Sequence, residues 1–358
     1  MKIIIDVMSG DHAPLELIRG ALLAKAETGE EIILVGEKAV IHGYASQYAL
    51  DLSGVSIVHA DSVIGMEDHA LSVVREKSDS SMSVGLHMLA KDEGDAFVSA
   101  GNTGALIAGA TLIVRRIKGI QRAGIATILP FPTPCLLMDC GANLEVTPAN
   151  LEQFAFMGAR YMEKILGVRA PRVGLLNNGT ESTKGRELER DAYVQLTDAE
   201  VRFVGNVEGR DLPFGVCDVA VTDGYTGNIV LKYTEGMGKF MLSTLKDILN
   251  TNIIVKLSAV SMKGKLDEIR HDFDSSEYGG APLLGIAKPV IKAHGSSDAV
   301  AIKNAILQAI AFHHTGLNHD IALFASDHEA RMKQRAKARA RMEKAKRRQK
   351  RTEPIEEE

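Results

Sequence analysis

Ala96-Phe97-Val98-Ser99-Ala100-Gly101-Asn102-Thr103-Gly104-Ala105 opens the longest uncharged stretch of this chain, AFVSAGNTGALIAGATLIV over residues 96–114, and two readings compete for it. Its length is nominally enough for a helix to cross a bilayer. Gly101-Asn102-Thr103-Gly104 divides it, however, and an Asn-bearing turn facing lipid would be costly. The stretch reads instead as a buried strand ending at Ser99, a turn, and a short helix over Ala105–Val114 with Asn102 or Thr103 as its N-cap. No transmembrane segment is predicted, and strand-turn-helix is the building unit of an α/β protein.

The same unit recurs on both sides. Ile3–Asp6, Glu31–Val35, Val55–Val58, Ala96–Ser99, Gly124–Leu129, Cys135–Met138, Arg172–Leu176, Arg202–Val204 and Val219–Val221 are short apolar runs ending at Gly, Asp, Asn or Pro, suited to buried strands. Between them lie amphipathic stretches: Pro14–Lys25, Ser81–Lys91, Pro148–Leu166, Lys184–Leu196 and Thr226–Leu249. The alternation predicts a two-lobed α/β fold with a largely parallel sheet and helices on both faces. Pro130-Phe131-Pro132-Thr133-Pro134 interrupts the rhythm and is expected to be extended, because each proline disfavours helix at its own position and at the one before.

At 358 residues the chain can bury a full core, and Met1-Lys2 leads straight into Ile3-Ile4-Ile5-Asp6 with no signal-peptide pattern, so a cytoplasmic protein is expected. Cys135, Cys140 and Cys217 show no CxxC pairing, which supports neither a disulfide framework nor a zinc site. No metal or other cofactor is expected. The net charge of −4 hides an asymmetry: residues 331–351 carry twelve Lys or Arg against Glu343, whereas residues 1–325 hold 30 basic and 39 acidic side chains. Residues 1–325 are therefore read as the catalytic body and 326–358 as a basic tail, disordered or a lone helix, since it has almost no large apolar residues to bury.

Within the body, Asn250–Asp274 interleaves Ile253, Ile254, Leu257 and Val260 with Lys256, Lys263 and Lys265. Lysines that snorkel beside an embedded apolar face suit an anionic membrane surface, and a dimer-interface or core helix is the alternative.

Seven glycine-bearing segments that mix small residues with Asn, Asp or His supply the chemistry: Asp6–His12, Ser99–Ala105, Asp139–Asn143, Asn177-Asn178-Gly179 with Lys184-Gly185, Gly205–Asp211, Asp223–Asn228 and Tyr278–Pro282. Most follow a strand, where an α/β sheet presents backbone N–H groups to a ligand. Ser99 and the turn Gly101-Asn102-Thr103-Gly104 form an anion site on this reading, or else a structural turn. Walker A spacing and a helix-opening GxGxxG are both absent, so nucleoside triphosphate and NAD are poorly supported. His12 is a candidate proton donor oriented by Asp11, with Asp11 alternatively capping the helix that starts at Pro14. Lys184 is placed unfavourably against a helix dipole unless it meets an anion. Asn143, Asn178, Asn206, Glu208, Asp223, Gly227 and Asn228 lie in turns where short polar side chains also cap helices, and together they are expected to line one cleft. No Gly-x-Ser-x-Gly elbow occurs and Cys140 has no local histidine, so no nucleophile stands out.

The succession Asp6–His12, Gly101–Ala105, Asp139–Asn143, Phe203–Asp211, Asp223–Asn228, Tyr278–Gly285 and His294-Gly295-Ser296-Ser297 resembles the PlsX-type phosphate acyltransferases of bacterial phospholipid synthesis, over about residues 1–315 in order. The resemblance implies a soluble homodimer with a fold similar to isopropylmalate dehydrogenases and phosphotransacetylases. It implies transfer of a fatty acyl chain from acyl carrier protein to inorganic phosphate, giving acyl phosphate for a membrane-bound glycerol-3-phosphate acyltransferase. It further implies peripheral membrane association through an amphipathic helical hairpin matching Met241–Asp274, which favours the membrane reading of Ile253–Val260. Ser9, Cys140 and Glu67-Asp68-His69-Ala70 depart from the family's usual residues, and the tail beyond Asp327 is not part of its pattern.

On this reading dianionic phosphate attacks the thioester directly. The Gly101–Gly104 N–H groups and Lys184 hold phosphate, Asn143 or Asn228 donates to the oxyanion, and His12 protonates the departing thiolate. Arg115, Arg116, Lys118 and Arg122 form a basic cluster able to dock an acidic carrier protein. Two other readings stay open: an oxidoreductase of the isopropylmalate dehydrogenase type, and nucleic-acid or anionic-lipid binding through the basic tail.

Overall fold

The computed structural model describes residues 1–249, 251, 264 and 279–328. Ile253, Ile254, Leu257 and Val260, most of the expected hairpin over residues 241–274, and tail residues 329–358 therefore lie outside the described residues.

The expected strands form: β1 (Lys2–Asp6), β2 (Glu31–Gly36), β3 (Ser56–His59), β4 (Ala96–Ser99), β5 (Gly124–Leu129), β6 (Cys135–Met138), β7 (Arg172–Asn177), β8 (Arg202–Glu208) and β9 (Val219–Val221). Two more, β10 (Ala281–Leu284) and β11 (Val290–Lys292), are strands that Pro282 and Pro289 disguise in the sequence. All join one sheet in the order β3-β2-β1-β4-β11-β10-β5-β6-β9-β7-β8. Pairing is parallel within β3-β2-β1-β4-β11 and within β6-β9-β7-β8. It is antiparallel across β11-β10-β5-β6. The fold is thus α/β and largely parallel, with an antiparallel seam between two parallel blocks. Three successive reversals in that seam turn the second block over, so the carboxyl ends of the two blocks lie at opposite edges of the sheet.

The segment Pro130–Pro134 is the bend that closes the β5–β6 hairpin, rather than an extended element. Its prolines exclude helix as expected, but pairing of Leu129 with Cys135 forces the chain to reverse between them.

Helices cover both faces. On one, α1 (Leu15–Thr28), α5 (Pro148–Leu166), α6 (Glu187–Thr197) and α8 (Ala299–His314) bury Leu17, Ile18, Phe154, Met162, Leu196, Ile302 and Phe312 against the inward side chains of β1, β6 and β7. On the other, α3 (Ser81–Ala90) and α4 (Thr103–Gly109) bury Met82, Leu86 and Leu106 against Ile4, Phe97 and Ile125. Burying about 25 cal/mol per Å² of apolar surface on both faces is what keeps such a sheet closed to water. The sequence dictates α5 most directly. Thr147 and Asn150 form a reciprocal capping box, Pro148 occupies the first turn, and Gly167 in the left-handed region ends the helix.

Some boundaries differ from expectation. Helix α2 (Lys38–Gln47) follows β2, where no helix is expected. The helix after Asn102 runs only to Gly109 and widens into a π turn over Ala110–Val114, ended by Arg115 at φ 75°. Lys184 lies ahead of α6, which starts at Glu187, with the Arg186 N–H and guanidinium donating to the Glu189 carboxylate. Asp11 does not cap α1, because Pro14 occupies the cap position with no side-chain hydrogen bond. A helix over residues 317–328 runs through the expected tail boundary at 326, and α7 (Gly224–Leu249) crosses the face of the seam.

Candidate active site

At the carboxyl edge of the first block, the loops after β1, β4 and β11 close on one another. The Asp11 N–H donates to Gly295 O at 2.8 Å, and Ser99 Oγ donates to Asp6 Oδ2 at 2.8 Å. Gly10, at φ 121°, stands so close to Ala100 and the Gly295 carbonyl that no larger residue fits without displacement. Asp11 and His12 are exposed at this edge beside the β11–α8 loop.

The turn after β4 is built largely from its own polar groups. Asn102 Oδ1 accepts from the Ala105 N–H at 3.0 Å, and its amide donates to the carbonyls of Gly65, Met66 and Asp68. Asn102 is thus the N-cap of α4 and a clamp on residues 65–68, with its side chain committed rather than free for a ligand. Asp68 is held below the usual carboxylate range by Lys77 and by the Gly65 N–H. Ser99 accepts from the Gly101 N–H at 3.1 Å. The N–H groups of Thr103 and Gly104 have no protein acceptor among the described residues.

At the opposite edge, the loops after β6, β7, β8 and β9 form a second group. Asp139 is fully buried and accepts from the backbone N–H groups of Ile125, Gly141, Ala142 and Asn143 and from the Asn143 amide. Burial pushes its carboxyl above the usual range in spite of these donors. Asn143 also donates to Ala123 O at 2.7 Å, so both its amide hydrogens are spent on structure. Asp223, also buried, accepts from Arg186 and from the Thr226 N–H and hydroxyl. Asn206 donates to Glu181 O, and Glu208 pairs with Arg210 at 2.7 Å. Lys184 and Asn178 are exposed, and Lys184 has no ion pair among the described residues. A cleft of about 380 Å³ at this edge brings together Asn178, Arg186, Gly209 and Thr226.

Helix α7 links the two groups. Gly224 and Gly227 let its first turns lie directly on Asp139–Asn143, since a Cβ at either would overlap that loop's backbone. The helix then carries Asn228, Lys232 and Glu235 over Ile125 and Thr127 of β5 to face Thr103, Lys292 and His294, enclosing a pocket of about 180 Å³. The glycine-bearing loops divide between two edges: those that carry Asn143, Asn178, Asn206, Glu208 and Asp223 share the second, and Thr103 and Asn228 are the expected site residues that meet in the pocket over the seam.

Three groups in that pocket were not singled out by sequence reasoning as site residues. Lys292 ends β11, and burial lowers its ammonium from 10.5 to about 8, with Asp6 opposing the shift. Burial also lowers His294, whose Nδ1 lies 2.9 Å from Ser296 Oγ. Glu235 pairs with Lys232 at 2.9 Å. The signal was present: Val290-Ile291-Lys292 followed by His294-Gly295-Ser296 is another apolar run ending at a small polar turn, hidden by its three-residue length. Cys140 also lines the pocket, but burial pushes its thiol up to about 12, so it does not ionise as a nucleophile near neutrality. Among the described residues, no cluster of His, Cys, Asp and Glu could hold a metal ion, and no helix is long and apolar enough to cross a membrane.

Comparison with known proteins adds three findings. Residues 1–320 match the family model described as fatty acid synthesis protein. The chain is 48% identical over 314 residues to a phosphate acyltransferase of Thermoanaerobacter pseudethanolicus, covering 87% of this chain and 93% of the relative, and 43% identical over 319 residues to one of Clostridium novyi, covering 88% and 96%. In structure it is similar to a phosphotransacetylase from Streptococcus pyogenes, with a TM-score of 0.59 at 18% identity over 87% of this chain and 94% of that one. A 4-hydroxythreonine-4-phosphate dehydrogenase from Klebsiella pneumoniae gives a TM-score of 0.50 at 12% identity, covering 87% and 99%. These last two likenesses concern the fold alone.

Proposed function

Since this chain belongs to the fatty acid synthesis protein family and is a phosphate acyltransferase, we propose that it moves a fatty acyl group from acyl carrier protein to inorganic phosphate, releasing acyl phosphate and the carrier thiol. The observation that carries this reading is the pocket over the seam: it joins a cation, Lys292, to amide and hydroxyl donors, Asn228 and Thr103, and its one thiol is held protonated. Such a site suits direct attack of phosphate on a thioester carbonyl, with no acyl-enzyme intermediate.

Phosphate needs little help from a base, because its second ionisation falls near neutrality. The protein's tasks are to hold the dianion within an acidic body, align it with the carbonyl, and stabilise the oxyanion. Asn228 is the proposed oxyanion donor. Its amide is exposed to the pocket, whereas that of Asn143 is spent on Asp139 and Ala123. Lys184 is proposed as a second cation for the phosphate or the acyl phosphate product, and His12 as the proton donor to the departing thiolate. Asp11, Ser99 and Gly101 shape the edge from which His12 projects; Asn206, Asp223 and Gly227 shape the loops on the far side.

Arg115, Arg116, Lys118 and Arg122 are exposed on the loop before β5, and are proposed to dock the acidic carrier protein. The solvent face of α7 carries exposed Ile229, Tyr233, Met237 and Phe240. Such a continuous apolar stripe supports burial against a second copy of the chain or a membrane surface. Homodimerisation, peripheral membrane association and delivery of acyl phosphate to a membrane-bound glycerol-3-phosphate acyltransferase remain part of the proposal. The oxidoreductase alternative rests on fold likeness alone.

Incubating the purified protein with acyl-acyl carrier protein and labelled phosphate tests the reading. Phosphate-dependent acyl phosphate with stoichiometric free thiol is expected; hydrolysis to free fatty acid without acyl phosphate would overturn it.

A further inference from the structure

Lys292 is the last residue of β11, paired in register with Ser99 of β4. That register sends its side chain along the turn after β4, where Nζ donates to Ala100 O at 3.1 Å and to Ala293 O. An ammonium has three hydrogens, so one remains for the pocket that Lys292 lines with Thr103, Asn228 and His294.

Among the described residues, no carboxylate pairs with this ammonium directly. Asp6 lies behind it at the end of β1, already accepting from Ser99 Oγ and the Met8 N–H. Asp11 acts on it through space from the next loop, and neither carboxylate is within ion-pair distance. From α7, Lys232 opposes the charge, and Glu235 is paired with Lys232. His294 has its own value lowered by burial, and Cys140 holds its proton, so neither offers an anion. A half-buried ammonium without a carboxylate partner is costly in the absence of ligand, and its cost falls when an anion occupies the space beside it.

We propose that Lys292 is the cation that holds inorganic phosphate in the pocket over the seam, with its carbonyl contacts to Ala100 and Ala293 fixing the direction of the remaining N–H. The proposal rests on the reading of the chain as a phosphate acyltransferase, and assigns its phosphate subsite. The cavity of about 180 Å³ is ample for a tetrahedral oxyanion, and both Lys292 and Asn228 line it. A phosphate there lies against the donor proposed for the developing oxyanion, as attack on the carbonyl requires.

Titration supplies a signature that a structural tether would not. Lys292 loses its proton as pH rises through about 8, so the phosphate-competent fraction falls above that value. Arginine at 292 keeps its charge throughout.

The test is calorimetric binding of inorganic phosphate to the full-length protein and to its K292M and K292R variants, each checked for native circular dichroism. Wild type is expected to bind phosphate and to weaken about fivefold from pH 8 to pH 9, as the charged fraction falls. K292M is expected to bind at least tenfold more weakly at pH 7. K292R is expected to bind within a few-fold of wild type at pH 7 without weakening at pH 9. Phosphate binding in K292M within twofold of wild type overturns the proposal, as does no binding by wild type. If K292M does not fold, K292R decides alone: a loss of affinity from pH 8 to pH 9 in K292R as large as that of wild type overturns the assignment. The proposed reaction is judged separately. Acyl phosphate formation with unchanged phosphate affinity in K292M removes Lys292 and leaves the reaction standing; phosphate binding through Lys292 without acyl phosphate formation does the reverse.

Discussion

The main-chain carbonyl of Asp139 occupies the space where a Cβ on residue 227 would stand, so the first turns of α7 reach the Asp139–Asn143 loop only because residue 227 is glycine. That contact sets the distance between the loop and Asn228, the next residue on the helix. Gly227 was expected to touch substrate; the structure gives it the task of bringing its neighbour into place. Gly227→Ala is expected to destabilise by about 3 kcal/mol, at the upper end of overpacking costs, and to lower turnover through Asn228. Thermal melts and kinetics on the same preparation check this, and a melting temperature equal to wild type would contradict it.

Asn143 and Asn228 are separated by what their amides already hold. Asn143→Ala removes donors to the buried Asp139 carboxylate and to Ala123 O, and is expected to cost about 1–3 kcal/mol of stability. Asn228→Ala is expected to leave the melting temperature unchanged and to lower kcat by about 10²–10³. A fall of less than tenfold in Asn228→Ala would remove it from the role of oxyanion donor.

Lys292 also links stability to pH. Its folded value of about 8 lies below its ordinary 10.5, so between those values the unfolded chain binds the extra proton and stability rises with pH. The unfolding free energy of wild type minus that of K292M is expected to grow by about 2 kcal/mol or more from pH 7.5 to pH 10. Chemical denaturation at the two pH values measures it, and a constant difference would contradict the placement of this ammonium.

The family match ends at residue 320, yet the fold continues further. His328 is buried with its Nε2 3.1 Å from Glu152 Oε2, a contact that makes no hydrogen bond, and its ring packs on Phe324, itself stacked on Phe156. Truncation after His328 is therefore expected to keep wild-type stability and turnover. Truncation after Ala325 removes the buried His328 ring from Phe324 and is expected to cost about 2 kcal/mol. Equal melting temperatures for the two truncations would be inconsistent with His328 anchoring the final helix.

Much of this was legible in the residues. The strands that carry buried β-branched runs, such as Ile3-Ile4-Ile5, and the helix framed by Thr147-Pro148 and Gly167 are announced by local chemistry that tertiary contacts only confirm. The seam was not legible, because Ala281–Leu284 and Val290–Lys292 are short and flanked by proline, and their pairing partners lie far away in sequence. Missing the seam meant missing the reversal that sends the loops of the two blocks to opposite edges. For the same reason Asn143 reads as a free donor, and the clamp of Asn102 on residues 65–68 is not legible: their acceptors, Ala123 and Gly65–Asp68, are brought in by folding. Lys292 was hidden by the same short strand, and its unpaired charge is a property of the packed site.

The central claim is direct transfer of an acyl group to phosphate without an acyl-enzyme. The measurement that tests it most directly is a single turnover of acyl-acyl carrier protein with excess enzyme, followed by intact-protein mass spectrometry with and without labelled phosphate. The account predicts no mass gain on the enzyme, and carrier thiol release only when phosphate is present and in step with labelled acyl phosphate. An acylated enzyme formed before phosphate is added would contradict it.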